Sequence, residues 1–329
     1  MSRTRRTINS KNNSVIALCL NREIIFRAAF LAAAIWIAAV GADAATLTVT
    51  KTADTNDAVC NGDCSLREAI GAAASGDTIA FSLLFSTAQT IALTDQLLFA
   101  KSLTIAGPGA RLLTISGTGL HRAFRMDGAA TVNIRNVKIA NSFDAEAGGC
   151  IQIFTDITLN LTDVQLELCR SVSGAAIWSR GTLNMIRSTI TTASLGAAIY
   201  LDGGTTNIAN STIKNNSIGS ALPVAGIHVT NSGILKLNNA TIADNDGEAV
   251  RVSSGTAYLR NTIVRAVNPS LADMSGTIVS LGNNLVGKNV GISTAFPAGN
   301  PNVNGDIVGS ANSIVNPQLH TLANNGGQT

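Results

Sequence analysis

The chain has 329 residues, of which 46% are hydrophobic, 13% charged and 4% aromatic. It is too apolar for a disordered protein, and its 30 glycines are too few for collagen. Residues 1–44 carry six basic and two acidic side chains, so the net charge of +3 becomes −1 for the remainder, which has 17 basic and 18 acidic residues. Because the remainder has no cluster of basic residues, the sequence predicts no nucleic-acid partner.

The N-terminus has the pattern of an export signal. A basic segment precedes an uncharged run of thirteen residues, Ala28 to Val40, which is followed by Ala42-Asp43-Ala44. This order predicts a signal peptide at residues 1–44 that is cleaved before Ala45. A membrane-spanning helix needs roughly 20 apolar residues, so the run is too short, and no span is expected in the mature chain.

Four cysteines remain after such cleavage. In an oxidising compartment they pair most simply as Cys60–Cys64 and Cys150–Cys169. The alternative for the first pair is half of a metal site, but the sequence offers no second close pair of cysteines or histidines to complete it. The cysteines therefore predict two disulfides and agree with export.

A short helix is predicted near the start of the mature chain. Ser65-Leu-Arg-Glu68 matches a capping box, in which the two side chains bond to each other's free backbone N–H groups. The helix continues through Ala74, Gly76 is placed to end it, and strand character resumes by Phe81. We assign residues 45–80 to an N-terminal cap that covers the first coil of a repetitive fold.

The rest of the mature chain repeats. A six-residue pattern (apolar, any, polar, any, any, apolar) recurs with successive starts 27, 24, 23, 29 and 22 residues apart. The copies begin at Ile134, Leu161, Met185, Ile208, Leu237 and Leu259. A second short strand precedes each of the later copies: Ile151-Gln-Ile153, Ile177-Trp-Ser179, Ile199-Tyr-Leu201, Ile227-His-Val229 and Val250-Arg-Val252.

This period predicts an all-β fold, a parallel β-solenoid with coils of about 22–29 residues. A leucine-rich horseshoe needs leucine-rich and helical segments that are missing here, and an ordinary sandwich would not keep the register. Residues 81–267 form the coils, and residues 268–329 are expected to be irregular. Stacking would align a partial asparagine ladder, interrupted by Asp163 and Arg187 and made of Asn136, Asn210, Asn239 and Asn261.

Both ends of the mature chain resemble known segments. Cys60-Asn-Gly-Asp-Cys64-Ser-Leu-Arg-Glu-Ala69-Ile70 is similar to the CSLREA segment of bacterial exported proteins, and this resemblance implies that the solenoid is a right-handed parallel β-helix. The C-terminal stretch resembles the choice-of-anchor Q region through Asn283-Asn-Leu-Val-Gly287, Asp306-Ile-Val-Gly309 and Leu322-Ala-Asn-Asn-Gly-Gly-Gln-Thr329. The resemblance implies a secreted or cell-surface protein like polymorphic outer-membrane proteins and adhesin passengers. Such chains normally continue past this point, so we expect a fragment that lacks its C-terminal cap and surface anchor.

One outward-facing column holds the candidate binding residues. The alternation of the second strand places Ile177 and its equivalents inside, and their successors outside. Aromatic rings and planar polar groups one coil apart would stack on sugar rings and bond their hydroxyls, whereas a merely solvated sheet face is the alternative. The candidate ligand-binding residues are Gln152, Trp178, Arg180, Tyr200, Asp202, His228 and Arg251.

Catalysis and metal binding have weaker support. Glycoside hydrolysis usually needs two carboxylates about 5–10 Å apart, and Asp202 has no aligned acidic partner on neighbouring coils. If the protein is an enzyme, the candidate catalytic residues are Asp202, Arg180 and His228. Calcium is the one cofactor that the sequence suggests. Its candidate ligands are Asp54, Asp57 and Asp63 near the first disulfide, although such loop carboxylates are usually solvated.

The sequence therefore predicts an exported or cell-surface β-helix that is not an enzyme and presents an elongated face to a polysaccharide or cell-surface glycan. A polysaccharide lyase or glycoside hydrolase with its groove over the same column is the first alternative. A structural stalk is the second. Fold alone does not decide among the three.

Overall fold

The computed structural model describes residues 44–218 and 223–321. Its chain winds through three parallel β-sheets as a right-handed parallel β-helix with very little α-helix, which confirms the predicted fold. The predicted signal peptide, apart from its last residue Ala44, and the Leu322–Thr329 motif lie outside the described residues. Within the described part of the chain, no helix has the length and apolar character needed to cross a membrane.

The regular elements are short. The one α-helix among the described residues is α1 (Leu66–Ala72), and a 3₁₀ turn covers Leu83–Ser86. The strands are β1 (Thr46–Val49), β2 (Thr78–Phe81), β3 (Gln89–Ala92), β4 (Leu97–Phe99), β5 (Leu103–Ala106), β6 (Leu113–Ser116), β7 (Phe124–Met126), β8 (Ala130–Arg135), β9 (Lys138–Phe143), β10 (Ile151–Ile153), β11 (Ile157–Thr162), β12 (Gln165–Arg170), β13 (Ile177–Ser179), β14 (Thr182–Ile186), β15 (Thr189–Thr191), β16 (Ile199–Asp202), β17 (Thr205–Ala209), β18 (Thr212–Lys214), β19 (Val224–Thr230), β20 (Gly233–Asn238), β21 (Thr241–Asn245), β22 (Glu248–Val252), β23 (Gly255–Arg260), β24 (Ile263–Ala266), β25 (Met274–Ser275), β26 (Ile278–Ser280), β27 (Leu285–Val286) and β28 (Ile307–Val308).

Successive coils place equivalent strands side by side. Sheet A has the order β1-β2-β5-β8-β11-β14-β17-β20-β23-β26, sheet B runs from β3 to β28, and sheet C has the order β4-β7-β10-β13-β16-β19-β22-β25. Neighbouring strands of a sheet lie about 4.8 Å apart. Residues at one register position therefore form columns parallel to the axis of the solenoid.

The inward columns make the core. Ile177, Ile199 and Ile227 pair in register across sheet C and are completely buried. Burying an aliphatic side chain of this size stabilises the fold by about 1.5–3 kcal/mol. The second disulfide, Cys150–Cys169, crosses one coil inside this core, and both predicted disulfides are confirmed.

The turns from sheet A to sheet B use the polar position of the repeated pattern. All six of these residues have φ between 46° and 56°, a left-handed conformation that asparagine tolerates well. Asn239 donates from Nδ2 to Asn210 Oδ1 at 3.2 Å, and Arg187 pairs with Asp163 at 2.8 Å. The predicted ladder is thus only partly formed. Among the described residues, no side-chain bond joins the other two asparagines to it.

A longer amide ladder lies on the outer face of sheet A, and the sequence analysis did not identify it. Asn160 Nδ2 donates to Asn133 Oδ1 at 2.8 Å. Asn184 Nδ2 donates to Asn160 and Asn207 Nδ2 to Asn184, each at 2.7 Å. These asparagines stand one position before the first four copies of the six-residue pattern, so the pattern did not include them.

The N-terminal cap is built around a buried glutamate. The predicted capping box is present: Glu68 N donates to Ser65 Oγ at 3.0 Å, and Ser65 N donates to Glu68 Oε2 at 2.7 Å. The backbone bond from Ser65 is the main cause that lowers the pKa of Glu68 to about 2. Helix α1 ends at Ala72 with Ala73 as its C-cap, so the prediction that Gly76 ends it is wrong. Gly76, with φ of 102°, forms the turn before β2.

Candidate functional site

The predicted outward column on sheet C is in register. Gln152 pairs with Trp178, Trp178 with Tyr200, Tyr200 with His228, and His228 with Arg251. The equivalent inward residues are buried isoleucines and valines, so the alternation places all five side chains on the outer face. The alignment inferred from the repeats is confirmed.

The column is covered rather than open to solvent. Trp178 is only 7% exposed. The Phe154 and Trp178 rings meet edge to face, with 5.3 Å between their centroids. The Arg180 guanidinium lies over the Trp178 ring, 4.9 Å from its centroid. The expected stacking of a sugar directly on Trp178 is therefore blocked in this conformation. The exposed planar group at this position is the guanidinium that Trp178 supports.

Side chains from several coils form a cleft of about 590 Å³ around this part of the column. The sequence analysis identified five of its lining residues: Gln152, Trp178, Arg180, Tyr200 and Asp202. It missed Gln96, Arg122, Arg125, Asp144, Glu146, Ala147, Phe154 and Ser173. Most of these lie in turns of unequal length that the repeat does not bring into register. Arg125 is on β7, one coil before Gln152, where the predicted column starts. His228 and Arg251 are not among the lining residues.

One rim of the cleft carries the Arg180–Asp202 ion pair. Arg180 donates to Asp202 Oδ2 from both Nε and Nη2, at 2.8 Å each, across two neighbouring coils. Thr230 and Asn231 from the next coil also donate to Asp202 Oδ1. The Asp202 side chain is only 10% exposed, whereas the Arg180 side chain is 49% exposed. The carboxylate therefore holds the arginine, and the arginine faces the cleft.

The opposite wall depends on a buried arginine. Arg122 Nε donates to Gly148 O at 2.8 Å, and its Nη2 pairs with Asp144 at 2.7 Å and donates to Ala147 O. Its Nη1 donates to the side-chain oxygen of Gln96 at 2.9 Å. Desolvation lowers the pKa of Arg122, and the neighbouring Asp144 opposes that shift. Arg122 thus ties together three segments of the cleft wall.

Gln152 leaves a polar atom unpaired in the cleft. Its side chain lines the cleft and is 8% exposed, and its Oε1 has no hydrogen-bond partner among the described residues. Most buried side-chain oxygens in proteins have a donor. Because Oε1 itself is buried in the cleft wall, a ligand can supply a donor to it only if the Gln152 side chain turns toward the cleft.

His228 is a poor candidate for acid–base chemistry. Burial, followed by the charge of Arg251, lowers its pKa to about 4, so the ring is neutral at neutral pH. Its Nε2 lies 2.8 Å from Ser253 Oγ, and its buried Nδ1 has no partner in the described part of the chain. Because no acceptor holds a proton on Nδ1, we assign the proton to Nε2, which then donates to Ser253. In that state the ring does not accept the proton of the serine.

The catalytic alternative therefore involves a different set of residues from the one predicted. Asp202 and Arg180 are together, but they neutralise each other, and His228 is not at the cleft. The residue aligned with Asp202 on the next coil is Thr230, as expected, but two carboxylates that are not aligned with Asp202, Asp144 and Glu146, line the same cleft.

The three candidate calcium ligands do not form one site. Asp54 is occupied by Arg67, which donates to both of its carboxylate oxygens at 2.9 and 2.7 Å, and by the N–H and hydroxyl of Thr94. Asp57 accepts a turn N–H, and Asp63 pairs with a lysine. Over the described ranges, no group of three or more His, Cys, Asp or Glu side chains is placed to hold a metal ion.

A second cleft of about 630 Å³ lies between α1 and β4, the first strand of sheet C. Its two cations already have partners in the cap. Arg67 binds Asp54, and Lys101 Nζ donates to the carbonyls of Gly71, in the last turn of α1, and of Ala73, its C-cap. These contacts explain both cations as parts of the cap.

The comparisons with known proteins give no family for this chain: no protein-family model matches it, and no curated protein matches it.

Proposed function

We propose that this chain is an exported or cell-surface β-helix protein that binds a glycan in the cleft on sheet C without transforming it. The observation that carries the proposal is the composition of that cleft. Planar side chains, among them Tyr200, Phe154 and Arg180, line it beside two glutamines and several charged groups. Planar groups stack on sugar rings, and amides, carboxylates and guanidinium groups bond sugar hydroxyls.

The arrangement suits an elongated ligand. The lining residues come from consecutive coils, between the end of β3 and the end of β16, at spacings of about 4.8 Å along the axis. Arg180 uses only Nε and Nη2 for Asp202, so some of its five N–H donors remain for ligand hydroxyls. A chain of sugar units lying along the solenoid axis would meet a polar or planar group on each coil.

Export and membership of the CSLREA and choice-of-anchor Q group are part of the same proposal. Both disulfides are consistent with an oxidising compartment, and the CSLREA-like segment contains the Cys60–Cys64 disulfide and the capping box. Fractionation of bacteria that express the full chain tests export. Recovery of the protein from the cytoplasm with residues 1–44 still attached would contradict it.

Binding is tested with the Arg180→Ala variant on a panel of immobilised polysaccharides. We expect a polymer that retains the parent protein to bind the variant at least about tenfold more weakly, because a hydrogen bond to a charged group contributes about 1.5–3 kcal/mol. Arg187→Ala is the matched control: Arg187 also pairs with an aspartate one coil away, but on another face. Equal losses in the two variants, or retention on no polymer, would contradict the proposal.

A polysaccharide lyase or hydrolase is the second candidate, since Asp144, Glu146 and Asp202 line one cleft. Release of reducing or unsaturated ends from a bound polymer distinguishes it from a binding protein. If product forms and Glu146→Gln abolishes it, the enzyme replaces the binding protein as the better assignment.

A further inference from the structure

We propose that the sheet C cleft selects neutral, hydroxyl-rich sugar units and discriminates against uronates. This inference rests on the proposed glycan-binding function and adds the chemical class of the ligand. It follows from how the charged and polar groups of the cleft are already used within the chain.

Each arginine at the cleft has a carboxylate partner in the protein. Arg122 pairs with Asp144 at 2.7 Å and Arg180 with Asp202 at 2.8 Å. Arg125 pairs at 3.2 Å with Asp127, which is next to β7, and its guanidinium lies 5.0 Å over the Phe154 ring. Each guanidinium charge is therefore already balanced by a protein carboxylate. A ligand carboxylate that approached the free N–H donors of Arg180 would also meet the negative charge of Asp202 beside them.

Two of these pairs are well protected from competition. The Arg122 side chain is 5% exposed and donates to three protein oxygens besides its carboxylate. Asp202 is nearly buried and accepts from two further side chains of the next coil. Separating a charge from its partner in such surroundings leaves it desolvated and unpaired, which is strongly unfavourable.

The charge balance gives no attraction for an anion. Three arginines and three carboxylates line the cleft, so three positive and three negative formal charges cancel. The third carboxylate, Glu146, has no ion pair among the described residues and repels a uronate.

The orphaned oxygen of Gln152 specifies a donor. A hydroxyl group can donate to Oε1, whereas an ionised carboxylate has only acceptor oxygens and would place two acceptors against each other. Once the Gln152 side chain turns toward the cleft, a neutral sugar hydroxyl satisfies Oε1, whereas a uronate that places its carboxylate there leaves it unsatisfied.

The test measures the affinity of the full-length protein for neutral glucans, mannans, galactans and xylans, for polygalacturonate, and for chitosan oligomers. We expect at least one neutral polymer to bind about tenfold or more tightly than polygalacturonate, the effect of one unsatisfied buried acceptor. Its affinity should also stay constant as salt rises to about 1 M, where the screening length falls to about 3 Å.

The outcomes separate the inference from the function on which it rests. Tighter binding of polygalacturonate than of every neutral polymer, or salt-sensitive binding, overturns neutral selection and leaves glycan binding intact. Preference for chitosan also overturns it and assigns recognition of a cationic sugar to Glu146. Binding of no polymer overturns glycan binding itself.

The Gln152→Met variant tests the donor requirement, since methionine is similar in length and has no carbonyl oxygen. We expect affinity for the neutral polymer to fall about three- to tenfold, the range for one neutral hydrogen bond, while thermal stability is unchanged or higher. Gln165→Met, at a half-buried glutamine of sheet B, is the matched control and should keep full affinity. Full affinity in Gln152→Met would overturn the assignment.

Discussion

The buried imidazole of His228 should make the stability of the protein depend on pH in a defined window. Its pKa falls from 6.5 to about 4 on folding, because burial and the charge of Arg251 disfavour the cation. As pH falls below 6.5, the unfolded chain takes up this proton before the folded chain does, so the free energy of unfolding decreases. The decrease ends near pH 4, below which both states bind the proton.

The size of the effect follows from the shift. One pKa unit corresponds to about 1.36 kcal/mol, so a shift from 6.5 to about 4 costs about 3 kcal/mol of stability between pH 7 and pH 4. His228 is 5% exposed, so water screens little of this cost. Among the described residues, the buried Nδ1 has no acceptor that would stabilise a second proton on the ring.

The assay is urea unfolding of the parent and the His228→Leu variant at several pH values. Other titrating groups contribute equally to both proteins, so the difference between them reports His228. We expect the stability of the parent relative to the variant to drop by about 3 kcal/mol from pH 7 to pH 4. Parallel profiles for the parent and His228→Leu would refute the buried, neutral imidazole.

Two further predictions concern the solenoid itself. Asn184→Ala breaks two inter-coil hydrogen bonds and Asn207→Ala one, so urea unfolding should show losses of about 2 and about 1 kcal/mol; equal losses would contradict a continuous ladder. The Cys150–Cys169 disulfide closes a loop with a sequence separation of 19, so replacing both cysteines by alanine should cost about 3 kcal/mol; an unchanged unfolding midpoint would contradict that role.

The fold was predictable from the sequence because a solenoid repeats its constraints. Apolar residues two apart mark the inward columns, and one pattern found several times fixes both the period and the register. The alignment of Trp178 with Tyr200 followed directly from that register. The cap was predictable for a different reason. Ser65 and Glu68 form a local motif whose hydrogen bonds join residues only three positions apart in the sequence.

The exposure of the candidate site was not predictable in the same way. Alternation places Trp178 on the outer face, but it does not say what lies above that face. Phe154 and Arg180 cover the ring, and they lie just past the ends of β10 and β13. Arg122 and Asp144 enter the cleft from turns whose lengths differ between coils. Their proximity is a property of the folded turns, and no spacing in the sequence encodes it.

The asparagine column on the outer face of sheet A and the mixed column on the outer face of sheet C differ in how they use their polar groups. On sheet A, like residues stack, so each amide donates to the one before it, as Asn184 does to Asn160, and the bonds are used for stability. On sheet C, unlike residues stack, and Gln152 finds no donor in Trp178 beside it. A column of identical amides satisfies itself, whereas a mixed column leaves groups that only another molecule can satisfy. This difference adds to the composition of the cleft as support for the proposal that sheet C binds a ligand.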